Sequence, residues 1–204
     1  MKLHRFFRTH DDSESGFFRN QKGSAIVEFV IVFPLLIWAF LGIFLLWDVF
    51  RAINLSQKAT FIVADNLSRS STAVTPAYID VLADLLAYLS QVQPATGEGV
   101  RLRVSSIQWN STTNTHSVAW SYSADNAQPV LTNALLAGIA NQIPTLTAFE
   151  TVLLIESEVD YVPALAGGDL AGFTLGVGPR TMDEFVVIRP RFIPRVCLTS
   201  VACA

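Results

Sequence analysis

Glu28 stands where a carboxylate is costly. It follows Gly23-Ser24-Ala25-Ile26-Val27, and from Phe29 to Trp47 nineteen residues then pass without a charge. An ionised carboxylate inside such a run costs about 2.5–3.5 kcal/mol on insertion scales, so an uncharged residue would serve a plain anchor better. What the group offers in exchange is attraction for a positive partner in a low-dielectric setting. Two other constellations carry charge or reactivity. Glu156, Glu158 and Asp160 occupy alternate positions of one segment, and Arg189 and Arg191 alternate in another. If the two segments are neighbouring strands, acids can face arginines as cross-strand ion pairs. The rival reading, a calcium site on the three acids, is disfavoured because calcium takes ligands from a curved loop rather than a flat strand. Cys197 and Cys203 are separated by five residues. In an oxidising compartment they are spaced to close a small disulfide loop, and two sulfurs without a nearby histidine fall short of a four-ligand metal centre.

No catalytic constellation accompanies these groups. His116 is the one histidine beyond the amino-terminal leader, and it lies in an alternating stretch beside Val118 and Trp120. The glycines at 167, 168, 172, 176 and 178 lack the spacing of a phosphate-cradling loop and read as turn chemistry. A net charge of -3 offers no basic surface for nucleic acid. The expectation is a non-enzyme without cofactor or metal, and without a nucleic-acid partner.

A glycine, four uncharged residues, a glutamate, an aromatic and a long apolar helix together resemble the prepilin-peptidase site of type IV pilin-like proteins. The stretch GSAIVEFVIVFPLLIWAFLGIFLLWDVFRAINLSQKATFIVADNLSRS resembles the amino-terminal segment of TadE-like proteins, the TadE/TadF group of pseudopilins in tight-adherence (Tad) pilus systems. The likeness covers about 50 of the 204 residues. It implies cleavage between Gly23 and Ser24, Glu28 as the fifth mature residue and charge partner in assembly, and Phe29 beside it. It also implies a prepilin peptidase and other Tad pilins or pseudopilins as partners. The new Ser24 amine would lie about one helical turn from Glu28, able to pair with it or with a neighbouring subunit's carboxylate. The alternative is an uncleaved single-pass anchor presenting an exported binding or sensory domain, with Glu28 sitting among head groups at the helix start.

The elements that must position these groups begin with the span. About 23 residues from Ala25 to Trp47 suffice to cross a hydrocarbon core of about 30 Å. Lys2, Arg5, Arg8, Arg19 and Lys22 precede it, and only Arg51 and Lys58 follow closely. The positive-inside rule then leaves the amino terminus in the cytoplasm and the remainder outside the inner membrane. The expected divisions are a basic leader over 1–23, a transmembrane helix over 24–48 and an exported domain over 49–204.

The helical pattern continues to about residue 70, with Pro34 expected to kink it. A second helix is marked by Thr75 as cap, Pro76 at the first position and a stripe of Leu82, Leu85, Leu86 and Leu89. Alternation around Val100–Val104 and His116–Tyr122, either side of Asn110–Asn114, predicts a hairpin. A third helix is expected at about 129–142, and strands at about 150–162 and 183–193, with Pro190 placing the last strand at an edge or bulge. The fold class is α+β: a long amino-terminal helix running into a pilin-like exported domain with an antiparallel sheet of about four strands.

Overall fold

The computed structural model describes residues 22–91, 99–147, 150–163, 169–170, 173–174 and 178–201. The chain forms two compact units, Met1–Phe44 and Leu45–Ala204. Helix α1 covers Lys22–Ser68 and passes through Pro34 without interruption. Proline removes one ladder hydrogen bond there, but the flanking apolar residues keep the helical period on both sides. In the first unit large apolar side chains such as Ile31, Leu35 and Phe40 are exposed. By length and composition the helix suffices to cross a membrane.

In the second unit, α2 (Pro76–Ser90) starts as its sequence dictates. Thr75 is extended and its Oγ1 accepts from the Tyr78 amide at 3.1 Å. The helix ends on Gln91 in the left-handed conformation, with φ 55°. The hairpin comprises β1 (Val100–Asn110) and β2 (Thr115–Ser123). The Asn110 side chain accepts from the Thr112 and Thr113 amides, and Asn114 takes φ 51°, a value asparagine tolerates because its short polar side chain bonds locally. β3 (Thr151–Tyr161) and β6 (Arg180–Ile188) complete a four-stranded antiparallel sheet in the order β2-β1-β3-β6. Between them a two-residue ladder joins β4 (Asp169–Leu170) to β5 (Phe173–Thr174) within the glycine-rich stretch.

One face of the sheet presents Leu102, Val104, Leu153, Ile155 and Val186 to Ala59, Val63 and Leu67 of α1 and to Ile79, Leu82 and Leu86 of α2. Small residues on α1 allow close approach: Thr60 Oγ1 and Ser157 Oγ meet at 2.7 Å. The opposite face is divided. At one end Ile107, Val152 and Leu154 pack beneath Leu131, Leu136, Ile143 and Leu146; at the other the partly buried positions of β1 and β3 are charged. This division follows from β3 itself, whose first five residues are all apolar or small and buried, and whose last six alternate.

Two elements differ from expectation. The helix sought at 129–142 is reduced to α3 (Asn133–Ile139), capped by Thr132 and followed by a 3₁₀ turn at Ala140–Gln142. Val130 and Leu131 belong to the extended chain before it, where the Leu131 amide donates to Ser121 Oγ. The last strand ends at Ile188 rather than continuing to 193, because Pro190 has no amide for the ladder and chain pairing stops before it. Cys197 is disulfide-bonded; Cys203 lies outside the described residues.

Candidate functional site

The amino-terminal candidates sit on the first turns of α1. Gly23 and Ser24 are the second and third residues of its helical backbone, which begins at Lys22. Glu28 is exposed, and among the described residues it has neither an ion-pair nor a hydrogen-bond partner. Phe29 stacks on Phe33, ring centroids 5.0 Å apart and planes inclined by 24°. A helix places residues 24 and 28 on one face, one turn apart. A positive amine at Ser24 would sit at the end of the helix that carries the positive pole of its dipole. A carboxylate one turn inward offsets that penalty.

The acidic row of β3 is paired, though not with the arginines the sequence suggested. Arg103 lies opposite Glu156, and Arg101 opposite Glu158. Arg103 grips Glu156 with two parallel bonds of 2.7 Å from Nε and Nη2, while its Nη1 donates to the Pro129 carbonyl at 2.7 Å. Arg101 donates Nε to Glu158 at 2.6 Å and both terminal nitrogens to Asp160 at 3.1 Å. Bonds to both carboxylates hold the Arg101 guanidinium above its ordinary pKa. Arg189 instead reaches Glu150, and Arg191 reaches Asp65 of α1 at 2.8 Å. Strand order explains the exchange. β3 lies between β1 and β6, and the β6 residues opposite Glu156 and Glu158 are Phe185 and Asp183. Arg189 and Arg191 fall beyond the end of β6, where the chain turns toward α1.

A second polar cluster lies where α1 enters the domain. Tyr161, at the end of β3, donates its hydroxyl to Asp48, and burial followed by that carboxylate raises the phenol's pKa. Val49 is buried against Val159, Tyr161 and Met182. One turn further, Arg51 lies over the Trp47 ring at 5.9 Å and bonds the Gln91 side chain. Tyr122 likewise donates to Asp80 of α2, and burial raises its pKa.

On β6, half-buried Glu184 has its carboxyl pKa raised, first by desolvation and then by Asp183, against the lowering effect of a Gln57 side-chain bond. A raised folded-state pKa means that the charged form is disfavoured in the fold. Wild-type stability relative to Glu184→Gln should therefore fall as pH rises through the carboxylate range and be regained on acidification. Urea midpoints of the two proteins across pH check this: Glu184→Gln should be the more stable at neutral pH, and the difference should vanish in acid.

The carboxyl-terminal segment is fastened by backbone and core contacts. The Val74 amide donates to the Cys197 carbonyl at 2.8 Å, the Thr199 amide donates to the Val74 carbonyl at 2.9 Å, and Trp120 Nε1 donates to the Val196 carbonyl at 2.8 Å. Trp120 is core and Phe192 is exposed. Trp109 packs on His116 edge-on at 5.0 Å. His116 Nε2 is buried without a hydrogen bond among the described residues.

Sequence reasoning overlooked Arg101, Arg103, Asp48 and Tyr161. The signal for the two arginines was present in their alternation with Leu102. That for Asp48 was only its place as the first charge after the apolar run. No family model, curated protein or solved structure matches the chain significantly.

Proposed function

We propose that the chain is a minor pseudopilin of a Tad-type (type IVc) pilus assembly system, cleaved by a prepilin peptidase after Gly23 and acting through its amino-terminal helix. The exposed, unpartnered Glu28 carboxylate, five residues after Gly23 on a helix apolar enough to span a membrane, carries this reading. A carboxylate kept at that cost without a partner among the described residues is available to an amine, the chain's own new terminus or that of a neighbouring subunit. In this reading the protein sits in the inner membrane with its amino terminus in the cytoplasm. Its second unit is exported and pilin-like, and its role is structural rather than catalytic.

Mass spectrometry of the membrane fraction tests the first step. A mature chain beginning at Ser24 is expected, and any other amino terminus removes the pseudopilin reading. Glu28→Ala should then leave the protein at normal abundance in the membrane yet abolish piliation. Unchanged piliation in that variant would favour an uncleaved anchor presenting an exported domain.

A further inference from the structure

Leu45 belongs to the apolar run yet is fully buried, while its neighbours Leu46 and Trp47 are about half exposed. The same helical stripe continues through Val49, Ala52 and Ile53, against Val159, Tyr161 and Met182. From Trp47, the last apolar residue of the run, to Val49 the helix rises only about 3 Å. The ends of β3 and β6, where Tyr161 pairs with Arg180, therefore lie beside the residues of α1 that directly follow the apolar run.

The rest of this end is suited to a bilayer surface. Trp47, Phe50 and Val162 are exposed, and Tyr88, on the last turn of α2 that Gln91 ties to Arg51, is 80% exposed. Tryptophan and tyrosine favour the membrane interface because their rings are apolar with one polar atom. Arg51 and Arg180 are exposed beside them and supply positive charge where lipid phosphates would lie.

We infer that this end of the domain, formed by Trp47, Phe50, Tyr88 and Val162, rests in the head-group layer of the bilayer that α1 spans, so that the domain is seated on lipid. The inference depends on α1 crossing the membrane, and the test separates the two. Full-length protein carrying Phe40→Cys, Tyr88→Cys, Ser111→Cys or Val162→Cys is labelled with a nitroxide without reductant, which leaves the disulfide of Cys197 intact. The unsubstituted chain gives the background. Each is placed in liposomes of phosphatidylethanolamine and phosphatidylglycerol, and its relaxation by oxygen is compared with that by a water-soluble nickel chelate. Ser111 follows the far end of β1, which is about 33 Å long, and reports water. The oxygen-to-nickel ratio at positions 88 and 162 should fall between those at 40 and 111, several-fold above the latter. Ratios equal to that at 111 overturn the inference while leaving the span intact. So does protection from both reagents, which would mean cover by a second copy. A water-like ratio at 40 overturns the span and the inference together.

Discussion

Trp120→Ala is expected to leave the second unit largely unfolded at 37 °C. The indole is only 5% exposed and packs among Leu102, Leu153, Val196 and Leu198, so its removal costs about 3–5 kcal/mol in lost burial and residual cavity. It also strips the Val196 carbonyl of its donor, which costs about 1–3 kcal/mol more if no water replaces it. Against a total stability of about 5–15 kcal/mol, the sum approaches or exceeds what the domain has. Trp120→Phe separates the two contributions by keeping most of the apolar volume and losing only the hydrogen bond. Urea unfolding followed in detergent micelles should rank wild type, Trp120→Phe and Trp120→Ala in that order. Reducing the disulfide of Cys197 should do much less. Val74 holds the tail on both sides of Leu198 without it. A reduced protein as unstable as Trp120→Ala would show that the tail hangs on the disulfide instead.

Arg103→Ala is expected to cost about 2–3 kcal/mol, the largest effect of any single charge in the sheet. Arg103 and Glu156 are 14% and 17% exposed, so removing the guanidinium leaves a carboxylate in a poorly solvated place beside Glu158. Breaking a fully buried pair costs about 3–5 kcal/mol, and partial solvation lowers that. Arg101 and its two acids are more exposed, and Arg101→Ala should cost about 1 kcal/mol after screening. Arg189→Ala and Arg191→Ala, at exposed pairs, should fall within about 1 kcal/mol of wild type. Denaturation midpoints of the four variants test the pairing directly. Should Arg189→Ala or Arg191→Ala prove the costliest, the acids of β3 would be facing the wrong partners here. The double variant Arg103→Leu/Glu156→Leu should recover most of the loss, because the cost lies in the orphaned charge rather than in the absence of a pair.

Periodicity and punctuation made much of the chain legible. A charge-free run from Phe29 to Trp47 can only be helical if it is to cross a bilayer, since every backbone group must be satisfied within the segment. Thr75-Pro76 starts α2 because the threonine oxygen and the missing proline amide both suit a helix amino terminus. Alternation in Val100–Val104 and Leu153–Tyr161 specifies strands with one buried face. Such signals are local, requiring nothing beyond a few neighbours in the chain. The bounds of α3 were less legible because Val130 and Leu131 could serve a helix or an extended approach equally, and a hydrogen bond to Ser121, distant in sequence, decides the matter.

The sequence alone thus determined the apolar span, the Gly23–Glu28 spacing within it, the hairpin and the charged row of β3, because each depends on residue type at fixed intervals. Tertiary structure alone decided which arginines meet those acids, that Asp48 binds Tyr161, and that Val49 is covered. All three depend on strand order and on where the sheet lies along α1. Order and level arise from burying one shared apolar face among residues far apart in the chain. An alternating pattern says only that a side chain faces a neighbour, and the fold chooses which neighbour it is.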